Sequence, residues 1–124
     1  MKPTPTPSEL AILQELWRRG PSTVREVHDA LGAGTVYTTV LKTMQNMAAK
    51  RLVKRDESSR SHLYSALVQA APTQARLVGE LVDKAFEGSA AKLAMRALST
   101  GRASSAELAE VRALLDSLEE GKRR

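Results

Sequence analysis

Hydroxyl and amide side chains dominate one stretch of this 124-residue chain, and such groups can contact phosphates and the edges of bases. The stretch is GTVYTTVLKTMQNMAAKRLV, residues 34–53, and no carboxylate occurs between Asp29 and Asp56. The stretch predicts a helix, and the face away from its apolar residues carries Thr35, Tyr37, Thr38, Thr39, Lys42, Thr43, Gln45 and Asn46. A carboxylate-free helix face of this kind favours nucleic-acid recognition. The alternative is that the threonines only fill a neutral surface, although threonine is a mediocre helix former.

A basic cluster follows this stretch. Six Lys or Arg residues and two acidic residues lie from Lys42 to Arg60. The runs LVKRD and SHLYSALV, joined through residues 57–60, alternate in polarity and predict a β-hairpin. We expect phosphate contacts from Lys42, Lys54, Arg55 and Arg60. The alternative is a hairpin edge that carries charge only to prevent association.

The net charge of +5 and the sequence pI near 9.9 make polyanions the first class of partner to consider. Residues 1–70 carry 10 Lys or Arg against 6 Asp or Glu, whereas residues 71–124 carry 9 against 8. The excess of positive charge therefore belongs to the first part of the chain.

Several classes of function are poorly supplied by the composition. The chain has no cysteine and two histidines, so we expect no metal, no cofactor and a reducing, cytoplasmic location. No nucleophile–base pair or phosphate loop is present, and an enzyme is not expected. The first 20 residues contain no uninterrupted apolar run, so neither a signal peptide nor membrane insertion is expected.

Capping boxes predict where the first helices begin. Thr6 with Glu9, and Thr23 with Glu26, have the spacing in which each side chain caps the other residue's amide. Apolar residues on the first three helices are expected to face the core: Leu10, Leu13, Leu16 and Trp17; Val24, Val27, Ala30 and Leu31; and Val36, Val40, Met44 and Met47. Three helices followed by a hairpin predict a winged helix-turn-helix over residues 1–70, with the third helix in the major groove.

Residues 71–124 are rich in Ala and Leu and predict further helices, the first over residues 73–87 and the last opened by the capping box Ser104–Glu107. The fold class is therefore mainly α with a small β-hairpin, with a helical dimerisation region after residue 70. So short a segment has difficulty burying its apolar faces alone, which favours a second copy. Folding back onto the winged helix is the alternative. The predicted dimerisation residues are Leu77, Leu81, Phe86, Leu108, Val111, Leu115 and Leu118.

Three segments resemble one family over nearly the whole chain. YTTVLKTMQNMAAKRLV, the hairpin ending in RSHLY, and SSAELAEVRALLD resemble the penicillinase and methicillin-resistance repressors, the BlaI/MecI family. The resemblance implies a homodimeric bacterial repressor that binds a palindromic double-stranded DNA operator. It also implies control of β-lactam-resistance or related genes, and release when a membrane sensor pathway leads to proteolysis of the dimerisation region or when another signal acts.

The resemblance also assigns roles to individual residues. It places the base-reading turn on Tyr37, Thr38, Thr39, Leu41 and Lys42, and the arginine of the wing tip on Arg60. Three departures accompany it. Arg51 stands where the family usually has glycine, in a turn that can require positive φ. The Asn–Phe bond cut in staphylococcal-type repressors aligns with Arg96-Ala97. The cysteine motif of copper-responsive relatives is missing from the sequence.

Two other functions compete with this interpretation. A regulator that responds directly to a small ligand generally encloses an aromatic pocket, and this chain has one Trp, one Phe and two Tyr. A winged helix that acts only as a protein-interaction module would not need a carboxylate-free recognition face beside a basic wing.

Overall fold

In a computed structural model of the chain, which describes residues 4–123, six helices and two strands follow one another. They are α1 (Pro7–Arg19), α2 (Val24–Leu31), α3 (Tyr37–Ala49), β1 (Val53–Asp56), β2 (Leu63–Ala66), α4 (Ala70–Ala85), α5 (Ala90–Ser99) and α6 (Ser105–Lys122). The chain divides into two compact units, the first ending at Val78 and the second beginning at Gly79. This division falls inside α4, and the assignment of residues 1–70 and 71–124 to DNA binding and dimerisation stays a prediction.

The predicted capping boxes are confirmed. The hydroxyl of Thr6 accepts from the Glu9 amide at 3.2 Å, and the Glu9 carboxylate accepts from the Thr6 amide at 2.9 Å. The pairs Thr23–Glu26 and Ser104–Glu107 repeat this geometry at the starts of α2 and α6. Each box satisfies two of the amides that a helix start leaves without partners, which fixes the first residue of the helix.

The core of the first unit lies among α1, α2, α3 and the hairpin. Leu13, Val27, Met44 and Met47 are completely buried there. The predicted inward position of Val36 is wrong: its side chain is 59% exposed, because Val36 is the N-cap of α3 and lies outside the helical repeat. On α1, Ile12 is buried, whereas the predicted core residue Leu10 is only half-buried.

The hairpin is an antiparallel pair in which Val53 lies opposite Ala66 and Arg55 lies opposite Tyr64. Tyr64 is buried, and its amide and carbonyl exchange hydrogen bonds of 2.8 and 3.0 Å with Ser22 in the loop between α1 and α2. The hairpin is therefore fixed to the helices at its base. The order of three helices and a two-stranded wing confirms the predicted winged helix-turn-helix.

The turn after α3 has the conformation expected where glycine is usual. Arg51 has φ of +63°, its amide donates to the Ala48 carbonyl at 3.1 Å, and the Leu52 amide donates to the Met47 carbonyl at 2.9 Å. These two bonds form a Schellman motif, whose left-handed residue is most often glycine. The chain keeps the turn and places a strained arginine in it.

The second unit consists of the end of α4 with α5 and α6. The prediction of a helix over residues 73–87 needs correction, since α4 runs from Ala70 to Ala85. Its early start follows from two alanines with Pro72 in the first turn, where proline is tolerated, and positive φ at Glu87 and Gly88 ends it. Within residues 4–123, no helix has both the length and the apolar character needed to span a bilayer.

Candidate nucleic-acid interface

Helix α3 separates its apolar and polar residues onto opposite faces. Val40, Met44 and Met47 are buried in the core of the first unit. Five of the predicted recognition-face residues are exposed: Thr38, Thr39, Lys42, Gln45 and Asn46. Because the buried face fixes the rotation of the helix, the exposed face is held in a defined orientation for a ligand.

Thr35 lies before α3 rather than on it. Its hydroxyl donates to the Gly32 carbonyl at 2.9 Å, and its carbonyl lies 3.1 Å from Nε2 of His28. The hydroxyl hydrogen of Thr35 is therefore used to close the turn between α2 and α3. Only the lone pairs of this oxygen are left for the DNA contact that we predicted.

Tyr37, the first residue of α3, is held by two residues of α2 that the sequence did not single out. The guanidinium of Arg25 lies over the Tyr37 ring, 4.6 Å from its centroid. The His28 ring meets the same ring edge-on, with a centroid separation of 5.8 Å. In the sequence, only the three-residue spacing of Arg25 and His28, which places them on one face of α2, could have indicated this contact, because the contact forms between two helices. The pair fixes the Tyr37 ring in a half-buried position.

The amino terminus of α3 lacks the caps found at the starts of α1, α2 and α6. Its N-cap, Val36, provides no side-chain hydrogen bond, and the first turn contains no acidic residue. No carboxylate of the cap or of the first turn therefore meets the first amides and the positive end of the helix dipole, an arrangement that favours an approaching phosphate.

A groove of about 330 Å³ lies between α3 and the wing. Tyr37, Leu41 and Gln45 line it from the helix, while Arg55 and Arg60 line it from the wing. The groove therefore brings together four predicted DNA-binding residues, Tyr37, Leu41, Arg55 and Arg60. His62 and Tyr64 of the wing also line it, and neither was among the predicted contacts.

Lys54 does not join this groove. It lies opposite Ser65 in the register of the hairpin, one residue before Arg55. Successive side chains of a strand point to opposite faces, so Lys54 and Arg55 cannot both face α3. Lys54 is exposed and stays a predicted phosphate contact, but from the other face of the wing.

Charged side chains near the groove have defined partners. Arg55 forms an ion pair with Glu57. A side-chain hydrogen bond with Tyr64, and then the charge of Glu57, raise the pKa of Arg55 above its ordinary value. Asp56 accepts a hydrogen bond from the Ser58 amide at 2.9 Å, and this bond lowers the pKa of Asp56. The residues that line the groove include no carboxylate.

The predicted dimerisation residues differ in exposure. Leu81, Leu115 and Leu118 are 49%, 52% and 56% exposed. Leu77, Phe86, Leu108 and Val111 are partly buried. The sequence interpretation missed Met95 and Leu114, which are also large, apolar and exposed.

Among residues 4–123, no three acidic or histidine side chains are grouped closely enough to hold a metal ion.

Comparison with known proteins identifies a family to which the sequence is similar. The model of the penicillinase repressor family matches residues 5–117. The transcriptional regulator BlaI of Mycobacterium tuberculosis, from strains CDC 1551 / Oshkosh and ATCC 25618 / H37Rv, is 43% identical over 60 residues. The match covers 46% of this chain and 44% of the relative, so it spans less than half the length of these curated relatives. A transcriptional regulator from Thermotoga maritima is 20% identical, with a TM-score of 0.47, over 94% of this chain and 73% of that one.

Proposed function

This chain belongs to the penicillinase repressor family, and we propose that it is a transcriptional repressor that binds a palindromic operator as a homodimer. The observation that carries the proposal is the exposed, carboxylate-free face of α3 beside a groove lined by Arg55 and Arg60. A face that offers hydroxyls, amides and cations matches the acceptors of the DNA backbone and of the major-groove base edges.

Recognition has two components in this proposal. Lys42, Arg55 and Arg60, with Lys54 from the other face of the wing, neutralise phosphates and release counterions, which makes the affinity fall with salt. Tyr37, Thr38 and Thr39 contact base edges or thymine methyl groups. Each good base contact contributes about 1–3 kcal/mol of discrimination.

The exposed leucines of the second unit support the homodimer. Leu81, Leu115 and Leu118 each leave about half of their surface uncovered, which is costly in water. A second copy that covers them would join two winged helices. Two recognition helices about 34–36 Å apart address successive half-sites, and the second half-site then binds intramolecularly.

Release of DNA follows from loosening this second unit. The bond Arg96-Ala97 lies inside α5, and both residues are exposed. A protease requires an extended substrate, so cleavage there needs local unfolding of α5 first. We propose that proteolysis or another signal that opens the second unit separates the copies and derepresses β-lactam-resistance or related genes.

Selection of bound fragments from genomic DNA at two salt concentrations tests the proposal. The purified protein should enrich a palindromic site, and the enrichment should weaken at the higher salt concentration. The Lys42→Ala, Arg60→Ala double variant is the control, since it keeps the core and should lose the enrichment. Weak binding without an enriched site would instead support a protein-interaction module.

A further inference from the structure

We infer that Glu57 is an intramolecular competitor of DNA for Arg55. Its carboxylate occupies the guanidinium that would otherwise bind a backbone phosphate, so Glu57 lowers the affinity of the wing for DNA of any sequence. The inference rests on the proposed function and adds a residue that weakens the same site.

The position of Arg55 is fixed by the strand pairing. Arg55 lies directly opposite Tyr64, whose amide and carbonyl both bond to Ser22 on the other edge of β2. Those groups therefore do not bond to β1, and in such pairs the facing side chains approach more closely. Arg55 and the buried Tyr64 both line the groove beside α3.

Glu57 supplies a carboxylate acceptor for the Arg55 guanidinium. It follows β1 immediately, is 54% exposed at its side chain, and pairs with Arg55. Asp56, the other acidic residue of the wing, accepts from the Ser58 amide and lies on the opposite strand face. Asp56 is therefore committed to the turn, and Glu57 is the wing carboxylate that reaches Arg55.

A carboxylate and a phosphate present similar acceptors to the planar fork of an arginine, so one replaces the other. The pair between Arg55 and Glu57 is exposed to solvent, and exposed pairs are weak. A phosphate can displace Glu57, but only by breaking this ion pair, so the energy of the pair is subtracted from the binding energy. Among residues 4–123, the other predicted phosphate contacts, Lys42, Lys54 and Arg60, have no carboxylate within ion-pair distance, whereas Arg55 has one.

The test is a double-mutant cycle at these two positions, measured by fluorescence anisotropy with a random-sequence duplex and with a selected operator. Glu57→Gln should tighten binding to both duplexes by about fivefold, the upper range for release of an exposed ion pair. The slope of the logarithm of the binding constant against the logarithm of salt concentration, here called the salt slope, should increase in magnitude by about 0.9, the value of one phosphate contact. In the Arg55→Gln background, Glu57→Gln should change the affinity by less than about twofold.

Glu87→Gln is the matched control. Glu87 pairs with Lys92 at 4.0 Å in the second unit, so the substitution removes the same charge away from the wing. A comparable increase in affinity for Glu87→Gln would overturn the inference, because net charge alone would explain it. Unchanged or weaker binding of Glu57→Gln would also overturn it. Failure of the wild-type protein to bind any DNA would instead contradict the proposed function, and the inference with it.

Discussion

Leu13 in the first unit is completely buried, whereas Leu115 in the second is half exposed, although each lies on a helix that begins with a capping box. The local signals that start these two helices are the same. The difference lies in what the chain places against each apolar face. In the first unit, three helices and a hairpin enclose one core, while the second leaves leucines without cover. Capping and periodicity thus build a helix, and the burial of its apolar face decides how stable it is.

The largest difference between the units should appear when leucines are truncated. Leu13→Ala should lower the free energy of unfolding of the first unit by about 2–5 kcal/mol, because it leaves a cavity. Leu115→Ala should leave the free energy of unfolding of the first unit unchanged. Its effect should be on association of the copies, and should therefore depend on protein concentration. Fluorescence of Trp17, the only tryptophan, reports on the first unit during urea unfolding. Equal losses of unfolding free energy for the two variants, measured by Trp17 fluorescence, would contradict this comparison of the units.

Charge on the apolar row of α6 should separate the copies. Val111→Glu with Leu115→Glu should raise the dimer dissociation constant at least about a hundredfold, since the interface would bury two unpaired carboxylates. Sedimentation equilibrium measures this change. Ala109→Glu with Ala113→Glu adds the same charges with the same spacing to the opposite face of α6, and this control should stay dimeric. A dimer that survives the first pair would refute the predicted seam.

Cations of the two units should contribute unequally to DNA binding. Lys42→Ala with Arg60→Ala should weaken operator binding about thirtyfold and reduce the magnitude of the salt slope by about 1.8, the value of two phosphate contacts. Arg102→Ala with Lys122→Ala, in the second unit, removes the same charge and should have a much smaller effect. Anisotropy titrations at several salt concentrations compare them. The assignment fails if both pairs behave alike while thermal unfolding of each is unchanged.

Two capping glutamates should respond differently to acid. Glu9 is buried; burial raises its pKa, but hydrogen bonds from Lys50 Nζ at 2.8 Å and from the Thr6 amide outweigh this, and the pKa is lowered overall. The pKa of Glu107 is lowered by the Ser104 amide without a lysine partner. A lowered folded pKa stabilises above the unfolded value of 4.5, and the stabilisation is lost as pH falls through the folded pKa.

Glu9→Gln keeps the capping geometry and removes the charge. It should therefore cost about 1–3 kcal/mol at neutral pH and flatten the loss of first-unit stability below about pH 4.5. Glu107→Gln should leave that pH profile unchanged. Urea unfolding monitored at Trp17 between pH 3 and pH 7 gives the two profiles, and superimposable curves for wild type and Glu9→Gln would remove the role given to Lys50.

The smallest effects concern left-handed residues, of which each unit has a non-glycine example. Arg51 has φ of +63° and Glu87 has φ of +53°. Glycine accepts this conformation without strain, so Arg51→Gly and Glu87→Gly should each stabilise by about 0.5–1 kcal/mol. Urea unfolding followed by Trp17 fluorescence reports on the first unit, so it should show a change for Arg51→Gly and none for Glu87→Gly. A destabilised Arg51→Gly protein would mean that the arginine side chain makes contacts worth more than the strain.

Much of the fold could be predicted because its signals are local. Thr6, Thr23 and Ser104 each mark a helix start by a residue type at fixed spacing, and the hairpin follows from alternation. Val36 was misplaced because the apolar repeat continues one residue beyond the helix, where periodicity does not distinguish a cap from a first turn. Helix ends are the least reliable part of such predictions for this reason.

The arrangement of the site was harder to predict, because it depends on register and on contacts between elements. Lys54 and Arg55 are equivalent as charges, and only the pairing of Arg55 with Tyr64 shows which of them faces α3. The stacking of Arg25 on Tyr37 joins two helices, and the spacing of Arg25 and His28 on α2 does not show which residue of α3 they contact. The sequence therefore predicted which types of side chain form the site more readily than the directions in which those side chains point.

The two hydrogen bonds between Ser22 and Tyr64 also protect the edge of β2 that does not pair with β1. A two-stranded sheet has two free edges, and an open edge can pair with a strand of another molecule and begin aggregation. Ser22 acts as a one-residue third strand and occupies the backbone groups of Tyr64 on that side. The protein can thus carry a short, exposed ribbon without offering that edge to neighbouring molecules.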